Sequence, residues 1–223
     1  GTAGSSGDGG PATQAQINSP LGIVAGADGS LFITEYDGHR VRCIRPDGRI
    51  ETIAGTGQSG FAGDGGPAIL ARLRYPHSIA LGLDGSLYIT DEGNNRVRRI
   101  RQDGTILTVA GDGRTTSSGD GGSPLAAGLR QPRIVYHHVD GTLWILDYAS
   151  SVVRRIRPPF PSLLIGETLV GSSDGSEAYI FDADGRHLRT LDALGGHTLW
   201  SFQYTNRGTL AAIADPWGKK TVV

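Results

Sequence analysis

The chain has 223 residues, long enough for one large or two modest domains with a sizeable core. Its 21 basic and 22 acidic side chains nearly cancel, which removes the broad positive field that would draw nucleic acid or an anionic membrane. Gly at 35 residues with 7% aromatics indicates many tight turns, the single cysteine Cys43 excludes an internal disulfide framework, and no apolar run is long enough for a membrane-spanning helix.

The phrase GDGGPA at residues 7–12 returns at 63–68 and, altered to GDGGSP, at 119–124. A phosphate-cradling loop needs a strand before it, a helix after it and usually a Lys, and no copy has a Lys. The step of 56 residues is more informative, because other landmarks share it: Pro20, Pro76 and Pro132; Leu31, Leu87 and Leu143; Val41-Arg42, Val97-Arg98 and Val153-Arg154. This is an internal repeat. The chain contains no Met, and Gly1 falls in the register of Gly57, so it is expected to be a piece of a longer protein that begins just after a missing strand.

Within the first repeat, β-favouring segments bounded by turn residues predict strands near 22–26, 30–35, 40–45 and 50–54. The Asp28-Gly29 and Asp47-Gly48 pairs mark tight hairpins between the first and second and between the third and fourth. In the third strand Val41 and Ile44 are three apart, which fits a sheet covered on both faces or a bulge. Cys43, in the slot of Arg99 and Arg155, reads as a tolerated strand residue.

Four-stranded antiparallel sheets that repeat with both faces apolar are stable when stacked radially as propeller blades. The stretches GSLFITEYDGHRVRCIRPDGRIETIAGTG and GSLYITDEGNNRVRRIRQDGTILTVAGDG resemble NHL repeats, and GTLWILDYASSVVRRIRPP matches more loosely. The resemblance implies an all-β fold with three four-stranded propeller blades over residues 1–160. Residues 55–75 become an enlarged link between blades, in which Pro67 is expected to open a short helix that packs Ile69 and Leu73. Asp8, Asp64 and Asp120, one acid per link, read as structural.

The links joining second to third strands read YDGH (36–39), EGNN (92–95) and YASS (148–151), varied inside a near-constant frame. A rigid scaffold with varied loops suits a binding surface, so Tyr36, Asp37, His39, Glu92, Asn94, Asn95, Tyr148 and Ser150 are the candidate binding residues, on the rim shared with the enlarged links.

After RPPFPSLL (157–164) the step of 56 stops, and residues 161–175 are expected to be a linker. A step of 23 then relates Phe181, Gly185, Asp192 and Gly195 to Tyr204, Gly208, Asp215 and Gly218. Residues 176–223 resemble YD repeats of the Rhs type, with Phe181, Asp182, Gly185, Arg186 and Leu188 in the motif's places and Thr205 departing from its Asp. An NHL propeller running into YD hairpins is the order of teneurins and bacterial Rhs proteins. That resemblance implies a secreted or cell-surface protein, expected bacterial, with a protein or glycan partner at the loop rim.

The chemistry of an enzyme is sparse. The six His residues form no ligand set by spacing, and no nucleophile motif occurs. Glu35, Asp91 and Asp147 end the second strands and could approach a propeller axis as metal ligands, but their repetition favours capping next to the third-strand arginines. Those arginines, Arg42, Arg98 and Arg154 among them, are expected to pair with acids on neighbouring strands rather than bind RNA. The reading is a non-enzymatic scaffold and recognition module with no catalytic residue, metal or cofactor and neither nucleic acid nor membrane as partner. A metal-dependent propeller lyase or lactonase and an RNA-binding domain are the alternatives. Three blades leave open edges, so further blades from the parent chain or self-association are expected.

Overall fold

In the computed structural model every named strand pairs antiparallel with its neighbour, and residues 3–139, 141–157, 168–171, 177–192, 198–205, 207–215 and 217–222 are described. The chain divides into two compact units, Gly1–Ile156 and Arg157–Val223.

In the first unit one sheet contains β1 (Pro20–Ala25), β2 (Leu31–Glu35), β3 (Arg40–Ile44) and β4 (Ile50–Ala54), in that order. The next sheet repeats it with β5 (Pro76–Leu81), β6 (Leu87–Asp91), β7 (Arg96–Ile100) and β8 (Ile106–Ala110). The third holds β9 (Pro132–His137), β10 (Leu143–Asp147) and β11 (Val152–Ile156), and the expected fourth strand falls on residues 158–167, outside the described residues.

Turn chemistry fixes these hairpins. Gly29 is left-handed at φ 88° while Asp28 is not, and Asp28 Oδ1 accepts the Ser30 N–H at 3.0 Å. The Asp-Gly pair thus closes a turn with one left-handed glycine rather than two positive-φ residues. Both sequence explanations of the β3 spacing hold: pairing to β4 slips between Val41 and Arg42, and Val41, Arg42 and Cys43 are all buried. Burial also raises the Cys43 thiol, as suits a packing residue.

The first strands lie side by side, β1 against β5 and β5 against β9. Thr34 Oγ1 donates to the His77 carbonyl at 2.9 Å, and Thr90 Oγ1, one repeat on, donates to the Arg133 carbonyl at 3.1 Å. Between the first two sheets, Val41 and Ala54 meet Ile79, Leu87, Ile89 and Ile106; Val97 and Ala110 meet Val135, Leu143 and Ile145 between the next two.

The enlarged link fills the wedge between sheets instead of standing on a rim. Gly65 N–H donates to the Ile106 carbonyl at 2.8 Å and Ile106 N–H returns to the Gly66 carbonyl at 3.0 Å, so GDGG lines the outer edge of β8. Gly9 and Gly10 do the same to Ile50. The expected helix is a single 3-10 turn, Ala68–Leu70; Leu73 is buried as expected, but Ile69 is exposed, because one turn offers no continuous apolar face. Gly55 and Thr56 N–H donate to the Ala68 and Ala71 carbonyls at 2.9 Å, tying the end of β4 to this link.

The second unit is a six-stranded meander: β12 (Thr168–Gly171), β13 (Glu177–Phe181), β14 (His187–Asp192), β15 (Thr198–Tyr204), β16 (Leu210–Ala214) and β17 (Lys220–Val222). β12 lies inside the stretch expected as a linker and pairs with β13. Ala178, Ile180 and Leu191 form its core.

Candidate functional site

Each sheet of the first unit ends its second strand with a carboxylate, and all three carboxylates are buried: Glu35, Asp91 and Asp147. Asp91 Oδ1 accepts the Arg74 main-chain N–H at 2.7 Å, and Oδ2 accepts from Asn94 Nδ2 at 2.8 Å and Arg98 Nη1 at 3.3 Å. Glu35 accepts from Arg42 at 3.1 Å, and Asp147 accepts the Arg130 N–H at 2.6 Å. Thus these acids hold the chain entering the first strand and the arginine of the third. The arginines have a second acid: Arg42 reaches Asp8 at 2.7 Å, Arg98 reaches Asp64 at 2.7 Å, and Arg154 lies 3.5 Å from Asp120. The neighbouring-strand pairing expected from sequence is present. The pairing to the GDGG acid was missed, although the offset of 34 residues in 8/42, 64/98 and 120/154 was a visible signal.

The links between second and third strands cluster beside these carboxylates. Their last residues, His39, Asn95 and Ser151, are left-handed at φ 52°, 53° and 55°. That turn aims two of them across the sheet boundary: Tyr75 N–H donates to His39 Nδ1 at 3.2 Å, and Gln131 N–H donates to Asn95 Oδ1 at 2.9 Å. His39 and Asn95, expected as binding residues, therefore clamp one sheet to the next. Asn94 ties Asp91 to the Gly60 carbonyl, and Asp37 accepts from Ser19 Oγ. The Ser150 hydroxyl is buried without a hydrogen-bond partner.

The remaining candidates, at one repeat position, are Tyr36, Glu92 and Tyr148. Tyr36 stacks on Tyr75 with ring centroids 4.9 Å apart and meets the His77 ring edge-on at 6.0 Å. Glu92 Oε1 accepts from Arg133 Nε at 3.2 Å, and the Arg133 guanidinium lies 3.6 Å from the centre of the Tyr148 ring. A cleft of about 510 Å³ opens here, lined by Tyr36, Arg74, Tyr75, Glu92, Asn95 and Gln131 among others. Of the sequence candidates it gathers Tyr36, Glu92 and Asn95, with Tyr148 one contact away through Arg133. Burial pushes the Tyr36 hydroxyl above its ordinary value and the Glu92 charge adds to that; burial lowers His77, with Glu92 opposing.

Radially packed antiparallel sheets repeating at 56 residues define an NHL-repeat β-propeller, and residues 73–100 match the NHL repeat family model. The chain is teneurin-like: it is 33% identical to Teneurin-3 of Mus musculus over 168 residues, 68% of this chain, and 30% identical to Teneurin-m of Drosophila melanogaster over 217 residues, 88% of this chain. It spans only 6% and 8% of the length of these two relatives, so it is similar to a propeller module within a much larger protein. A solved structure from Bacteroides thetaiotaomicron, described as a protein of unknown function, superimposes with a TM-score of 0.54 at 25% identity over 61% of this chain and 34% of its own.

Proposed function

We propose that the chain is a non-enzymatic scaffold and recognition module of a larger secreted or cell-surface protein, with the rim around Tyr36, Glu92 and Tyr148 as its partner face. The observation that carries this reading is that one repeat position presents three different side chains beside an open cleft, while its neighbours His39 and Asn95 are committed to holding the sheets. A fixed frame with varied tips is the architecture of a recognition surface.

Further blades complete the ring in this reading. Ile23 is 63% exposed, whereas Ile79 and Val135, its equivalents in the next sheets, are 6% and 4% exposed because a preceding sheet covers them. Val41 and Val97 are fully buried by the sheet that follows, and Val153 is 63% exposed. The second unit supports the YD reading through its turns: Arg186, Thr209 and Lys219 N–H donate to Asp182 Oδ1, Thr205 Oγ1 and Asp215 Oδ1 at 2.8, 3.2 and 2.8 Å. Thr205 thus keeps the turn in which it replaces the motif's Asp. The equivalent turn at Asp192–Gly195 lies outside the described residues. The lyase and RNA alternatives are the weaker readings, since the acids and arginines they need are engaged with each other.

The test is staining of cultured animal cells by the full chain, tetramerised through a biotin tag. Saturable staining that falls in Tyr36→Ala/Tyr148→Ala and persists in Asp103→Asn, on a different turn, supports the rim as partner face. Absence of staining, or equal staining by the double variant, overturns it.

A further inference from the structure

The Glu92 carboxylate is almost completely buried, at 4% exposure, yet only one of its oxygens is bonded. Oε2 has no hydrogen-bond partner, and Glu92 lines the open cleft. A buried acceptor left unmatched is unfavourable by about 1–3 kcal/mol, so such an atom points to a donor supplied from outside. An ionised carboxylate only accepts, hence the missing group is an O–H or N–H.

The surroundings narrow the ligand. Arg133 already neutralises Glu92 through Oε1, and Arg74 adds a second cation to the lining, so the cleft carries no excess negative charge to select an ammonium. The stacked Tyr36 and Tyr75 supply flat apolar faces beside phenolic hydroxyls. Asn95 accepts the Gln131 N–H through its carbonyl, which leaves its amide N–H groups to donate. An apolar platform, a carboxylate acceptor, amide and guanidinium donors, and about 510 Å³ of space together match a ring with one apolar face and a girdle of hydroxyls.

We infer that this cleft is a saccharide site: a pyranose ring lies against Tyr36 and donates a hydroxyl to Glu92 Oε2, with Arg74 and Asn95 completing its bonds. The inference rests on the recognition reading and names the chemistry of the partner, a glycan. It was not legible in sequence, where Glu92 is one of several polar loop residues.

The test uses immobilised lactose, cellobiose, maltose and chitobiose, each probed with the tetramerised full chain, followed by titration calorimetry with the free sugar that binds. The expected result is binding of at least one disaccharide, reduced tenfold or more both in Glu92→Gln, which keeps the shape and removes the charge, and in Tyr36→Ala, with melting temperatures checked in each. Competition of cell staining by that free sugar, together with loss of staining after glycosidase treatment of the cells, assigns the source to a cell-attached glycan; competition without that loss assigns it to a free sugar. Binding to none of the four sugars, or binding unchanged in both variants, overturns the saccharide site. Rim-dependent cell staining without sugar binding overturns this inference alone, whereas absence of both overturns the recognition reading as well.

Discussion

Asp64 and Arg98 meet at 2.7 Å although 34 residues separate them, and Asp8 and Arg42 repeat the pair at 2.7 Å with the same separation. Each arginine is fully buried between this acid and the acid ending the second strand, so the glycine-rich link is locked to the sheet it precedes.

Truncating Arg98 to Ala leaves Asp91 buried without its cationic partner and should destabilise the first unit by about 3–5 kcal/mol. Arg154→Ala should cost much less, because Arg154 stands 3.5 and 3.7 Å from Asp120 and Asp147 and Asp120 is 82% exposed. Urea unfolding followed by circular dichroism ranks the two; equal losses would contradict the geometry.

Asn95→Ala removes the acceptor for the Gln131 N–H at the junction of the second and third sheets and should lower stability by about 1–2 kcal/mol. Hydrogen exchange should then quicken at Gln131 while the β2–β3 ladder, away from that junction, keeps its protection.

Gly63 and Gly65 are both left-handed, at φ 91° and 80°, but only at Gly63 would a Cβ strike backbone, 2.8 Å from the Ala71 Cα. Gly65→Ala should therefore cost only the backbone strain, about 1–2 kcal/mol, and Gly63→Ala clearly more. Thermal melts of the two variants check the order.

Burial raises the Asp91 carboxyl to about 6, against the opposing pull of Asn94, the Arg74 N–H and Arg98. Between the ordinary value of 3.8 and about 6 the folded chain keeps a proton that the unfolded chain has lost, so Asp91 favours the fold below that window and its contribution falls as pH rises through it. Relative to Asp91→Asn, which has no proton to lose, the parent should lose stability from about pH 4 to pH 6. Urea midpoints across that range test the sign; a parent that gains on the variant would reverse it.

Val97 and Val153 occupy the same repeat position, the first fully buried and the second 63% exposed. Val153→Lys should change stability by less than about 0.5 kcal/mol and suppress any concentration-dependent association, whereas Val97→Lys should unfold the unit. Light scattering across a dilution series, with melts of both variants, measures each effect.

The strands, their order within a sheet and the turns were legible because alternation and Asp-Gly or Pro signals act within a few residues of chain; β2, β3 and β4 fall within one residue of where the pattern puts them. The repeat itself required that sheets pack on sheets. Sequence could not show which face each polar residue serves, because that depends on contacts between repeats: Tyr75 with His39 and Gln131 with Asn95 across 36 residues, Thr34 with His77 and Thr90 with Arg133 across 43. The eight loop candidates looked alike in sequence. Only the packing of one sheet on the next separated the two that clamp the sheets, His39 and Asn95, from the one that carries an unmatched buried oxygen into a cleft, Glu92, because burial and hydrogen-bond satisfaction are properties of the assembled structure.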